Sequence, residues 1–303
     1  MNNALAYLYK LMSGLFEIFG RLYLFNWFSP PVKEVVRNVS YAHDNRKQAM
    51  DIYVPYGEPP FPVMVYIHGG AFHVMDKRSY KRIARSFASM GYVVINLNYR
   101  LAPRFKFPAA FQDIDMAVAW ARDSAVRYGG DASRMVLAGD SAGATLSSMY
   151  AAALRSPRLL EAFSIDGAVP PETIKGLLLF YGGYDMETIR DTGFPMIKRL
   201  CEGFYGEEPQ VYSARAEMAS TARHIDSGYP PAFLASSDTD HLHTESVAFD
   251  LVLTEAGVPH TNLFFRKKDN PIAYKGHGFL SISFGKLARI SFAEARKFLE
   301  SLE

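Results

Sequence analysis

From about residue 35 onward, apolar residues fall into short unbroken runs that alternate with stretches of three- and four-residue periodicity. Val35 to Tyr41 and Gln48 to Val54 predict two short strands, joined by the polar turn His43-Asp44-Asn45-Arg46. The run Pro62 to Ile67 has no polar interruption and predicts a strand buried on both faces, as in a parallel sheet. Further strands are predicted at Tyr92 to Leu97, Met135 to Ala138, Gly176 to Tyr181, Ala232 to Ser236 and Asn262 to Phe265. Helical periodicity fills the intervals: Ser79 to Met90 with Ser79 as N-cap, Phe107 to Tyr128 around Trp120, and Ala142 to Leu154 in small residues. Two more helices follow, from Ser246 to Ala256 and from Lys286 to Leu302. This alternation predicts an α/β fold, with one mostly parallel sheet of about eight strands, the first two antiparallel, and helices on both faces.

Two segments depart from the rhythm. Residues 186–229 separate two strands by far more than an ordinary crossover and are expected to form helical cap material. At the N-terminus, Leu5, Leu8, Leu11, Met12, Leu15, Phe16 and Phe19 recur at helical spacing, while Lys10, Glu17 and Arg21 interrupt any long apolar run. A transmembrane helix needs roughly 18 to 20 apolar residues, so an amphipathic helix packed over the body is expected instead, with membrane contact at most peripheral. The chain is therefore read as a single domain, 1–303, capped by residues 1–34 and 186–229.

Composition narrows the class without deciding it. A net charge of +2 gives no footprint for nucleic acid, and the basic cluster Lys77, Arg78, Lys81, Arg82 reads as the solvated face of a helix. The single cysteine, Cys201, excludes an intramolecular disulfide and cysteine-based zinc sites, and reads as a small buried residue. No metal and no cofactor are expected, and a cytoplasmic location is compatible with this usage.

The chemistry concentrates in Gly139-Asp140-Ser141-Ala142-Gly143, between a predicted strand and a predicted helix. A nucleophile elbow requires that setting, because the flanking glycines allow a turn too tight for side chains and lift the serine oxygen clear of the sheet. A second element, His68-Gly69-Gly70-Ala71, closes another strand. A tetrahedral oxyanion needs preorganised N–H donors, each worth about 3 kcal/mol. Gly69, Gly70 and Ala142 are the candidates, while His68 itself is read as structural.

The general base should follow the acid in the chain. His277 lies in a glycine-flanked loop between the last strand and the last helix; His224, His241, His243 and His260 have no such placement. For the acid, Asp238 directly after the Ala232 strand is the first choice, Asp240 the second and Asp185 the third. Its task is to fix the imidazole tautomer and stabilise the imidazolium.

These residues make the chain resemble the hormone-sensitive-lipase-like (bacterial family IV type) esterases of the α/β-hydrolase superfamily. The resemblance rests on His68-Gly69-Gly70-Ala71-Phe72, Asn98-Tyr99-Arg100-Leu101-Ala102-Pro103, Phe107-Pro108-Ala109-Ala110, Trp120, Gly139 to Gly143 and His277-Gly278-Phe279, in the family's order. It implies Ser141, Asp238 and His277 as catalytic triad, the oxyanion hole named above, and a cap from the N-terminal helices and 186–229. The chain departs from the family pattern at Ala71 and Ala144, where glycine is usual. It departs again at Asp238-Thr239-Asp240-His241-Leu242, where Asp-Pro-Leu-x-Asp is usual.

The expected activity is that of a serine carboxylesterase on small to medium acyl esters, through an acyl-enzyme on Ser141. The alternative is the same machinery acting as an arylformamidase, deacetylase or feruloyl-type esterase. A non-enzymatic binding protein on the same fold is disfavoured by the presence of nucleophile, base and acid together. Phe72, Tyr184, Phe204 and Tyr205 are candidates to line a substrate pocket. The expected partner is a small-molecule ester, with no nucleic acid; a homodimer is left open.

Overall fold

The computed structural model describes residues 29–42, 47–269, 276–282 and 285–302. The amphipathic helix expected at the N-terminus and the turn expected at 43–46 lie outside the described residues.

Eight strands form one sheet: β1 (Glu34–Ser40), β2 (Ala49–Val54), β3 (Phe61–Ile67), β4 (Val93–Leu97), β5 (Gly130–Asp140), β6 (Ile174–Phe180), β7 (Ala232–Ser237) and β8 (His260–Phe265). Their spatial order is β1-β2-β4-β3-β5-β6-β7-β8. β2 pairs antiparallel with both β1 and β4, and every pairing from β4 through β3 to β8 is parallel. The unbroken apolar runs therefore lie where both faces are covered. The edge strands β1 and β8 carry most of the exposed positions.

The pleat sorts each strand between two cores. Val63, Val65 and Ile67 of β3 join Met135 and Leu137 of β5 on one face, against α2 (Ala109–Ser124) and α3 (Ala142–Ala153). Met64 and Tyr66 join Val136 and Ala138 on the other, against α1 (Lys81–Ala88) and α8 (Lys286–Glu300). All residues of α3 are buried, which explains its run of Ala, Gly and Ser: it has no solvent face to fill with charge.

Three local readings change. The helix expected from Ser79 is a 3₁₀ turn, Lys77–Tyr80, running into α1, and its cap is Asp76, whose carboxylate accepts the Arg78 N–H. Lys77 is not solvated: its ammonium is buried in an ion pair with Asp51 and donates to Asn38 Oδ1 at 2.8 Å. A short helix, α4 (Pro157–Phe163), follows α3, with Ser156 as N-cap and Pro157 in its first turn.

The segment between β6 and β7 is helical, as expected, with α5 (Ile197–Tyr205) and α6 (Pro209–Met218) between two 3₁₀ turns. Its ends are stitched together. Met186 N donates to Ser220 Oγ at 2.8 Å, Ala222 N to Tyr184 O at 3.0 Å, and Arg223 pairs with Asp185 at 2.9 Å. Beneath this junction, Glu245 in the first turn of α7 (His243–Glu255) accepts the N–H groups of Tyr184 and Asp185 and the Thr188 hydroxyl. Among the described residues, no helix is long and apolar enough to cross a membrane.

Candidate active site

The carboxyl ends of the parallel strands carry the candidate residues, the place where open α/β sheets present their sites. Ser141 follows β5 with φ +51° and ψ −124°, a strained conformation for a residue with a side chain. The flanking glycines are required by contact. A Cβ on Gly139 would stand 2.4 Å from the Gly143 carbonyl, and one on Gly143 would stand 2.0 Å from Ile67 O. Helix α3 thus presses directly on the end of β3, and the serine is held at the crest of the turn.

His277 Nε2 lies 2.8 Å from Ser141 Oγ, and Nδ1 lies 2.8 Å from Asp240 Oδ2. Acid, base and hydroxyl therefore form one hydrogen-bonded chain across three separate segments. The imidazole is fixed from two sides, with the Tyr181 ring edge-on at 5.0 Å and the Phe194 ring edge-on at 4.8 Å. Phe194 also lines an open cavity of about 540 Å³ with Gly193, Met196 and Ile197, rimmed by Lys198 and Arg199.

Asp238, the first choice from the sequence, is outside this chain of bonds. Its backbone N–H extends the sheet by donating to Phe265 O at 3.0 Å, and both carboxylate oxygens accept the Lys267 N–H at 2.9 Å. The chain then turns, with Asp240 N donating to Ser237 O, and that turn delivers the second carboxylate to His277. Asp240 Oδ1 is itself fixed by the Leu242 N–H at 2.9 Å. Asp185, the third choice, is engaged by Arg223 and the Glu187 N–H at the junction of the insertion.

One of the three N–H groups expected for an oxyanion is engaged elsewhere. Gly69 N donates to Asp140 Oδ1 at 3.0 Å, so that hydrogen is already taken. Among the described residues, the N–H groups of Gly70, Ala71 and Ala142 make no hydrogen bond. Asp140 is buried and also accepts from the hydroxyls of Tyr66 (3.0 Å) and Tyr80 (3.2 Å). Burial pushes its carboxyl up to about 6, against the lowering effect of those hydrogen bonds. His68 is buried. Its ring lies between Tyr99 (4.4 Å) and Tyr80 (5.7 Å), and its Nδ1–H donates to Gly69 O. Burial holds its pKa down to about 4 and keeps it neutral.

The four pocket candidates are core residues. Phe72 stacks on Phe204, Tyr205 packs edge-on against both, and Tyr184 stacks on Phe249, each at 4% exposure or less. Cys201 is buried in α5, and desolvation pushes its thiol up to about 12. Among the described residues, no cluster of His, Cys, Asp and Glu suits a metal ion.

The pattern of the BD-FAE family matches residues 50–251, which is most of the sheet together with the Ser141 elbow and Asp240. The chain belongs to the BD-FAE family. This BD-FAE member is 28% identical over 232 residues to the esterase LipQ of Mycobacterium tuberculosis, covering 73% of this chain and 53% of LipQ. It is 30% identical over 218 residues to the probable carboxylic ester hydrolase LipM of the same organism, covering 68% and 48%. The chain thus spans about half the length of these relatives. In three dimensions it superposes on esterase B from Lactobacillus rhamnosis, crystallised with a C4-C4 SN3 tributyrin phosphonate. That TM-score is 0.85 at 20% identity, over 99% of this chain and 94% of the other. The BD-FAE member is accordingly an α/β-hydrolase of the hormone-sensitive-lipase-like type, the family its motifs resemble.

Proposed function

We propose that the protein is a serine carboxylesterase acting on small to medium acyl esters. The observation that carries this reading is the unbroken chain Ser141 Oγ–His277 Nε2 and His277 Nδ1–Asp240 Oδ2, each link 2.8 Å. The names of LipQ and LipM support the same class.

In this reading Ser141 Oγ attacks the acyl carbon as His277 Nε2 takes its proton, and Asp240 stabilises the imidazolium. The carbonyl π electrons move onto oxygen. The N–H groups of Gly70, Ala71 and Ala142 receive that charge, with Ala71 replacing Gly69. Collapse expels the alcohol, which takes the proton back from His277. Water, deprotonated by the same imidazole, then releases the acid and restores Ser141. Residues 186–229 act as a cap over this site, and the protein works without a cofactor.

The test is hydrolysis of p-nitrophenyl acetate and butyrate, together with labelling by a fluorophosphonate. Ser141→Ala and His277→Ala should each lower kcat by roughly 10⁴-fold or more, and Ser141→Ala should abolish labelling. A native protein that neither labels nor turns over any activated ester rules the reading out.

A further inference from the structure

The oxyanion segment has three consecutive residues in the left-handed region: Gly70 (φ +109°), Ala71 (+52°) and Phe72 (+67°). Glycine tolerates this; Ala71 and Phe72 do so only where surroundings over-determine the backbone. The ends of the segment are held by the body of the fold. Gly69 N is tied to Asp140, and at the far end Lys77 N donates to Asn98 Oδ1 at 2.7 Å while Asn96 Nδ2 donates to Lys77 O. Between those anchors, Ala102 N donates to Phe72 O at 2.9 Å and His73 N and Val74 N close on Gly70 O, while the side chains meet the insertion helix α5.

Phe72 lies face to face with Phe204, ring centroids 4.3 Å apart and planes within 8°. Phe204 O accepts the Phe107 N–H at 2.9 Å, which pins that ring to the body. The neighbouring Gly203 lies close against the His73 imidazole: a Cβ there would stand 2.6 Å from Nε2. The other nitrogen of that imidazole lies 2.7 Å from Ala71 O. One turn of α5 therefore bears on the segment twice, through Phe72 and through His73.

We infer that Phe204 is a positioning residue for the oxyanion hole: stacked on Phe72, it holds Gly70–Ala71–Phe72 in the left-handed path that leaves the Gly70 and Ala71 N–H groups free to receive the oxyanion. The inference rests on the esterase reading above. Its consequence is specific. Loss of the ring face should weaken transition-state stabilisation and leave ground-state binding in place, and replacing Ala71 by glycine should compensate, since glycine adopts the same path unaided.

The experiment compares native protein with Phe204→Leu, Phe204→Ala, Ala71→Gly and Ala71→Gly/Phe204→Leu, on p-nitrophenyl butyrate well below each Tm. Leu200→Ala, a cavity in the same helix, serves as control for loss of packing alone. Phe204→Leu, which keeps apolar bulk and so should fold, is expected to lower kcat about tenfold with KM changed less than about threefold. The affinity of an aryl trifluoromethyl ketone should fall in parallel. Ala71→Gly should recover most of that loss in the Phe204→Leu background. Leu200→Ala should lower Tm with kcat within about twofold of native. The inference is overturned if folded Phe204→Leu keeps native kcat, if the loss lies in KM, if Ala71→Gly recovers nothing, or if Leu200→Ala loses as much kcat. Native turnover with an indifferent Phe204→Leu removes this inference alone; absence of native turnover removes the esterase reading with it.

Discussion

Asp240 Oδ2 lies 2.8 Å from His277 Nδ1, while the carboxylate of Asp238, two residues earlier, is spent on the backbone of Lys267. Asp240→Asn should therefore lower kcat by about 10⁴-fold, because an amide cannot fix the productive tautomer or stabilise the imidazolium. Asp238→Asn should stay within about threefold of native, losing at most about 1 kcal/mol of stability from its local hydrogen bonds. Steady-state kinetics of the pair decides it, and the reverse ranking would return the role to Asp238.

Gly143→Ala should be among the most damaging single-methyl changes in the chain. Its Cβ would meet Ile67 O at 2.0 Å, so α3 would have to lift off β3, at a cost of about 3 kcal/mol or more. Gly257→Ala isolates backbone strain from collision, since φ is +69° there but nothing lies within 4 Å. It should cost only about 1–2 kcal/mol. Thermal denaturation of both variants measures the difference, and equal losses would show that contact with β3 is not what the glycine protects.

Asp140 carries a pH signature in stability. Its carboxyl is raised to about 6 by burial, above the ordinary range near 3.8. The native state thus binds this proton more tightly than the unfolded state, and the benefit, full below about 4, is lost as pH rises through 6. Asp140→Asn cannot titrate. Its Tm relative to native should climb between pH 4 and pH 7, by a free energy on the order of 2 to 4 kcal/mol, and then level off. A difference independent of pH would mean the carboxyl is not perturbed.

His68 has the opposite sign. Held down to about 4 by burial, it stays neutral while the unfolded chain takes a proton near 6.5. Its contribution is present above 6.5 and is lost as pH falls toward 4. His68→Phe, which preserves stacking between Tyr80 and Tyr99, should lose less stability than native on acidification from pH 6.5 to 4.5. Denaturant melts at those two pH values measure this, and an unchanged slope would contradict it. In the native protein the two buried groups oppose each other across most of the same window.

The fold was legible because its central strands are largely apolar: β3 and β4 could be read from Pro62–Ile67 and Tyr92–Leu97 without knowing their neighbours. The elbow was legible for the same reason, since a glycine pair between such a strand and a small-residue helix leaves few alternatives. The acid was harder. Distance from the end of β7 favours Asp238, and what selects Asp240 is a turn made by backbone hydrogen bonds. One signal was present: buried Leu242 falls on the leucine of the Asp-Pro-Leu-x-Asp pattern when Asp240, not Asp238, is taken as its first residue. The oxyanion donors were misread because the carboxylate engaging Gly69 comes from β5, a long-range contact with no local trace. Phe194 against His277 had no such signal, being one aromatic among many in a segment without strand periodicity.

The junction where Met186, Ser220, Ala222 and Glu245 meet makes the intervening chain a cassette. It leaves and re-enters the body at a single point, already closed by its own hydrogen bonds. Doubling the length of such a loop changes its closure entropy by only about 0.6 kcal/mol, so sequences of different size can be spliced there. Such a splice must still supply a ring partner for Phe72 and one for His277, the places that Phe204 and Phe194 fill. Substrate range can then diversify by exchange of a module, while the chemistry stays in the sheet.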